Sequence, residues 1–221
     1  MDIDGGGDNH PDAGIVYRFA APSYTTPYTL THILSAGDRA NDDRFGFDLA
    51  YNGTVLAVGA VRSKTGVNGA GPQLTNAGAV YLFDGSNNFQ QSQKIVLDGT
   101  GGHQRTAGDI FGSALAMDIG GSTLLIGAPA ERHDVTEGTG MIPGAGSIYA
   151  YTITGATATF AQKLVATQPA PSLASDRSYN ARFGYKIDLN GDPANPEAMV
   201  GAYGKILNGV PSVGRVYAIT P

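Results

Sequence analysis

One tetrapeptide pattern recurs four times along this chain and constrains its fold more than any other feature. It reads Gly14-Ile15-Val16-Tyr17, Gly78-Ala79-Val80-Tyr81, Gly146-Ser147-Ile148-Tyr149 and Gly214-Arg215-Val216-Tyr217, with the glycines 64, 68 and 68 residues apart. Three further segments repeat in a fixed order between these copies. The first is Arg44-Phe45-Gly46, Ile110-Phe111-Gly112 and Arg182-Phe183-Gly184. The second is Val58-Gly59-Ala60, Ile126-Gly127-Ala128-Pro129 and Val200-Gly201-Ala202. The third is Thr31-His32-Ile33-Leu34, Gln93-Lys94-Ile95-Val96 and Gln162-Lys163-Leu164-Val165. A fixed period of this length is the mark of a stacked repeat architecture.

Each repeated segment has the composition of a β-strand. Val80-Tyr81-Leu82-Phe83 and Ile148-Tyr149-Ala150-Tyr151 are β-branched and aromatic, which suits a pleated, half-buried surface. Asn52-Gly53 separates two strand-like runs, and Gly120-Gly121 stands at the same place one repeat later. Such dipeptides predict tight hairpins with positive φ at both turn positions. With strand A at Phe-Gly, B at Gly-Ala, C at Gly-x-Val-Tyr and D at Gln-Lys-Ile, the order is C-D, A-B-C-D, A-B-C-D, A-B-C. The predicted fold is all-β: a β-propeller of four-stranded antiparallel blades, about three and a half in number, forming an incomplete ring. The whole chain, 1–221, reads as a single propeller region, with blades near 12–36, 37–99, 100–167 and 168–221. The Gly-Ala pairs predict close backbone approach, and the repeated phenylalanines predict packing between neighbouring blades.

These segments resemble the FG-GAP repeat family, which includes the propellers of integrin α subunits and fungal lectins. The resemblance covers almost the whole chain, although only Gly127-Ala128-Pro129 keeps the full Gly-Ala-Pro. It implies an extracellular or cell-surface protein. Closed members of the family usually have seven blades, so three arrangements compete: part of a longer propeller, closure with a copy or another subunit, or head-to-tail polymerisation into a filament.

The loop Asp188-Leu189-Asn190-Gly191-Asp192-Pro193-Ala194-Asn195-Pro196-Glu197 holds alternating oxygen donors of the kind calcium takes. In the family this loop typically binds Ca2+. Asp188, Asn190 and Asp192 match the first three ligand positions, Glu197 stands for the last acid, and Pro193 replaces a glycine. Asp2, Asp4 and Asp8 read as a solvated acidic terminus, and Asp42-Asp43 as solvated turn residues. Asn52-Gly53-Thr54 is an N-glycosylation acceptor sequence. Tyr17, Tyr81, Tyr149 and Tyr217 are expected to pack within blades. The loops 62–76 and 131–144, which vary between copies, are expected to place any binding function.

The remaining composition narrows the function. A net charge of -5 argues against a nucleic-acid partner. The chain has no cysteine and no apolar run long enough to cross a bilayer. The polar, acidic start is no signal peptide and reads as a trimmed or mature chain. His10, His32, His103 and His133 form no metal-spaced pair, and there is no Gly-x-Ser-x-Gly elbow or phosphate-binding loop. The expected function is therefore a non-enzymatic adhesion or structural module. It would assemble with protein partners or with itself through loops and open blade edges. The alternatives are a lectin-like, carbohydrate-binding propeller and an accessory propeller of a larger secreted enzyme.

Overall fold

The structure is a computed structural model, and it describes residues 10–67, 71–99, 103, 105–133, 140–168, 174–192, 195–207, 209–210 and 212–221. The acidic terminus with Asp2, Asp4 and Asp8, and also Pro193, lie outside the described residues.

The strands follow the predicted order. A two-stranded sheet pairs β1 (Val16–Ala20) with β2 (Thr29–Leu34). A four-stranded sheet runs β3 (Phe45–Tyr51), β4 (Val55–Ala60), β5 (Ala79–Asp84) and β6 (Gln90–Ile95). A second runs β7 (Ala114–Met117), β8 (Thr123–Ala128), β9 (Ser147–Thr154) and β10 (Thr157–Leu164). A three-stranded sheet of β11 (Lys186–Leu189), β12 (Ala198–Ala202) and β13 (Arg215–Ile219) follows. Every pairing is antiparallel. We call these sheets blades 1 to 4.

The core sits between blades, because each strand alternates its side chains between the two faces of its sheet. Val80 and Leu82 of β5 point towards blade 3, where they meet Phe111, Leu115 and Tyr149. Tyr81 and Phe83 of the same strand point the other way, towards Val16, Leu34 and Phe45. Ile148 and Ala150 of β9 meet Phe183, Val200 and Tyr217 in the same manner.

Sequence reasoning misplaced three local features. In the second and third copies Phe-Gly lies ahead of strand A: Phe111 makes a single parallel bridge to Gly78, and β11 begins only at Lys186. In these two copies the Phe-Gly unit is an arch, whereas Phe45-Gly46 opens β3. The residue before each phenylalanine takes a left-handed conformation (Arg44 φ 56°, Ile110 φ 51°, Arg182 φ 60°), and so does the glycine after it. The outer strand of blade 1 is also shifted by one residue from the sequence alignment. Val80 pairs with Ile95 and Tyr81 with Lys94, whereas Val16 pairs with Leu34 and Tyr17 with Ile33. Ile33, not His32, thus occupies the place of Lys94 and Lys163. Lastly, Asn52 has no positive φ; only Gly53 does, at 100°. The turn is closed instead by the Asn52 side chain, whose Oδ1 accepts from the amides of Thr54 (3.0 Å) and Val55 (2.7 Å). This is an Asx turn.

Candidate functional site

Three contacts repeat at each junction between blades. The first is a backbone ladder: the amides of Phe45, Phe111 and Phe183 donate to the carbonyls of Ala13, Ala77 and Ala145 at 2.7, 3.0 and 3.0 Å. The second is an edge-to-face aromatic pair within each blade, on the face turned towards the blade before it. Phe45 meets Tyr81 at 5.6 Å, Phe111 meets Tyr149 at 5.6 Å and Phe183 meets Tyr217 at 5.2 Å between ring centroids. The third is glycine against backbone. A β-carbon at Gly14, Gly78 or Gly146 would overlap the carbonyl oxygen of Phe45, Phe111 or Phe183. One at Gly59 or Gly127 would overlap that of Gly112 or Gly184. The repeated glycines are therefore places where one blade's backbone meets the next.

An arginine clasp not foreseen from the sequence adds to this. Arg105 Nη2 donates to the Lys64 carbonyl at 2.7 Å, and Arg177 Nη2 to that of Arg132 at 2.6 Å. Each binds the B–C loop of the preceding blade. The signal was the position shared by Arg105 and Arg177, six residues before each phenylalanine. The B–C loops are thereby part of the scaffold at their bases. Glu131, expected in a binding loop, is only 1% exposed, accepts from the Ser147 hydroxyl and pairs with Lys163 at 3.1 Å.

The two outer faces of the arc lack these partners. Tyr81, Tyr149 and Tyr217 are buried, but Tyr17 at the same repeat position is 42% exposed. It shares an exposed face of the β1–β2 hairpin with Phe19, Leu30 and Ile33. The opposite face packs on blade 2, where the Arg18 guanidinium lies 4.6 Å from the Phe89 ring centroid. At the other end Val16, Val80 and Ile148 are buried while Val216 is 68% exposed, beside Met199 and Ala218. Gly201 and Gly214 have no close neighbour: the nearest atoms to a β-carbon there lie at 3.8 and 3.5 Å.

The residues singled out as a calcium site lie on β11 and in the loop that joins it to β12. Among the described residues no three acidic or histidine side chains converge on a point. Asn190 Oδ1 accepts from the amides of Asp192 (3.1 Å) and Glu197 (3.2 Å), and its Nδ2 donates to the Asn195 carbonyl at 3.0 Å. Its oxygen closes the loop through these bonds. Asp188 is exposed on β11. At the glycosylation sequence Asn52 is 7% exposed, and its Nδ2 donates to the Gly121 carbonyl of blade 3 at 3.3 Å. A glycan there would replace one of the two N–H groups on that nitrogen, at the junction between blades.

Asp43, expected in solvent, is buried, and desolvation raises its carboxyl above the ordinary range. Asp42 beside it is partly exposed and bound by Arg62 at 2.6 Å. Asp109 holds the place of Asp43 in blade 3. Burial pushes its carboxyl up to about 6, against hydrogen bonds from Thr106 and with help from the Glu131 charge. Because the folded-state value lies above the unfolded one, Asp109 favours folding below about pH 4, and that contribution is lost as pH rises through 6. The loss is of order 3 kcal/mol. Asp109→Asn is expected to flatten the fall in melting temperature between pH 4 and 7. Parallel curves for the two proteins would show that Asp109 does not titrate in this window.

Antiparallel blades joined face to face by such arches define the class of β-propeller interaction modules. Within it, residues 28–83 match the family model described as FG-GAP repeat, in agreement with the family resemblance of the sequence. The matched segment runs from β2 through β5. No curated protein matches the chain.

Proposed function

We propose that this chain is a non-enzymatic, extracellular adhesion or structural module that assembles with other proteins, or with itself, through its blade faces and edges. One observation carries the reading: repeat positions buried at every internal junction are exposed and apolar on the two outer faces. Tyr17, Phe19, Leu30 and Ile33 form one such patch, and Met199, Val213 and Val216 the other. Contiguous apolar surface of this kind marks a contact site. The family resemblance supports an extracellular setting, and among the described residues no helix is long and apolar enough to cross a membrane.

Light scattering on the full chain tests this. The expected mass is a multiple of the 22.8 kDa chain, falling to that of one chain in Met199→Asp/Val216→Asp with the circular dichroism unchanged. A wild-type chain of single mass at high concentration would rule out self-assembly. Repeating the measurement with a calcium chelator tests the loop 188–197: dissociation would support Asp188, Asn190, Asp192 and Glu197 as calcium ligands, and an unchanged mass would leave a turn closed by Asn190 Oδ1.

A lectin-like role is the second reading. A groove of about 500 Å³ between the outer strands β6 and β10 is walled by Tyr151 and Phe160 and rimmed by Gln91 and Asp98. Aromatic faces beside polar rims suit sugars. Both ends of the Gln93 amide are already bonded to the Ala158 backbone, at 3.0 and 2.7 Å, which leaves this groove few polar groups to offer. Specific, saturable binding on a glycan array would favour it.

A further inference from the structure

Blades 2 to 4 each bury an ion pair beside the tyrosine of strand C, but the cation does not always come from the same place. In blade 2 Asp38 accepts from the Tyr81 hydroxyl at 2.9 Å and from Lys94 at 2.7 Å. In blade 3 Glu131 meets Lys163 at 3.1 Å. Lys94 and Lys163 both stand on the outer strand, directly opposite Tyr81 and Tyr149. A second buried acid, Asp43 or Asp109, lies nearby in each case.

Blade 4 is wired differently. Asp176 accepts from the Tyr217 hydroxyl at 2.6 Å. It pairs with Lys205 at 3.0 Å and with Arg215, both from within the blade's own three strands and their loops. Burial works against the Asp176 charge, but the bonds from Tyr217, Lys205 and Arg215 outweigh it and hold the carboxyl below its ordinary value. The place of the second acid is taken by Ala181. Two cations already surround one carboxylate, so a lysine opposite Tyr217 would be a third. Among the described residues β13 pairs only with β12, leaving its other edge open.

We propose that this open edge takes a fourth strand whose residue opposite Tyr217 is aliphatic, and that the strand is β2 of a second copy of this chain. β2 meets both demands. It is an outer strand by its place in the repeat, and Ile33 stands where the other blades have lysine. It already pairs with a Val-Tyr dipeptide, Leu34 opposite Val16 and Ile33 opposite Tyr17. β13 presents the same dipeptide, Val216-Tyr217. Exchange would replace one such pairing by another, closing the edge of β13 and opening that of β1. Leu34 would then cover Val216.

This inference rests on the assembly reading above, and a competition separates the two. A synthetic peptide of residues 27–36 is added in excess to the assembled full chain, followed by light scattering and by anisotropy of a labelled copy. The peptide is expected to bind saturably and dissolve the assembly. Its Ile33→Lys form is expected to bind about tenfold or more weakly, because like charges would be brought together. Assembly indifferent to the wild-type peptide, or equal binding of the two peptides, would overturn the strand assignment and leave the assembly reading intact. A chain that never assembles would overturn the assembly reading, and with it the second copy as occupant.

Discussion

Replacing Phe111 by alanine is expected to destabilise the fold by about 3–5 kcal/mol, the range for removing a large aromatic from a close-packed interior. Phe111 is fully buried. Its ring stands edge-on to Tyr149, and the cluster around it draws on Val55, Val80 and Leu82 of blade 2 as well as Leu115 of blade 3. The side chain fills space that two blades share. The arch that carries it is fixed by the bond from its own amide to Ala77, so the backbone has little freedom to collapse into the void. Urea denaturation followed by tyrosine fluorescence would measure the change. Tyr24→Ala, on a fully exposed side chain, is expected to change stability by less than about 0.5 kcal/mol. A Phe111→Ala loss as small as that control would mean that the blades do not depend on the arch for their cohesion.

The second large effect is expected from a single methyl group. Gly127→Ala puts a β-carbon onto the carbonyl oxygen of Gly184. Both atoms belong to packed backbone, so relief requires the two blades to part, at a cost of about 1–3 kcal/mol or more. Gly201→Ala makes the same change at the same repeat position in blade 4, where the nearest atom lies 3.8 Å away. It is expected to be neutral in the isolated chain. Neither glycine has a positive φ, so the comparison isolates the approach of a neighbouring blade. Thermal melts of the two variants would check it. Equal losses would show that the glycine serves the strand itself and not the junction.

Much of this was legible in the sequence because the repeat is read by comparing the chain with itself. Copies at a constant period gave the strand count, the blade order and the burial of Tyr81, Tyr149 and Tyr217. What escaped was whatever depends on one blade touching another. Phe-Gly looks like strand sequence, yet only Phe45 begins a strand, while Phe111 and Phe183 lie ahead of β7 and β11. The one-residue offset of β2 was hidden because Ile33 and Ile95 are alike, while the register depends on which of them faces Val16 or Val80. Asp43 read as solvated because burial by a neighbouring loop leaves no mark on local composition. The candidate calcium loop leaves two readings open for a similar reason. Asp188, Asn190 and Asp192 have the spacing of a calcium loop, but a side-chain oxygen that spacing assigns to a metal can equally cap its own turn, as Asn190 does. The exposed faces became visible only as the difference between repeats that are covered and repeats that are not.

The arches couple each blade only to the one before and the one after, with no long-range tie across the arc among the described residues. Cohesion in such a chain is a property of nearest neighbours, and opening proceeds link by link. A link with one neighbour is looser than a link with two. The β1–β2 hairpin is such a link, packed on blade 2 through a single face, and is expected to open before the four-stranded blades do. The strand most free to leave its place is thus also the one whose sequence matches the vacant edge at the far end.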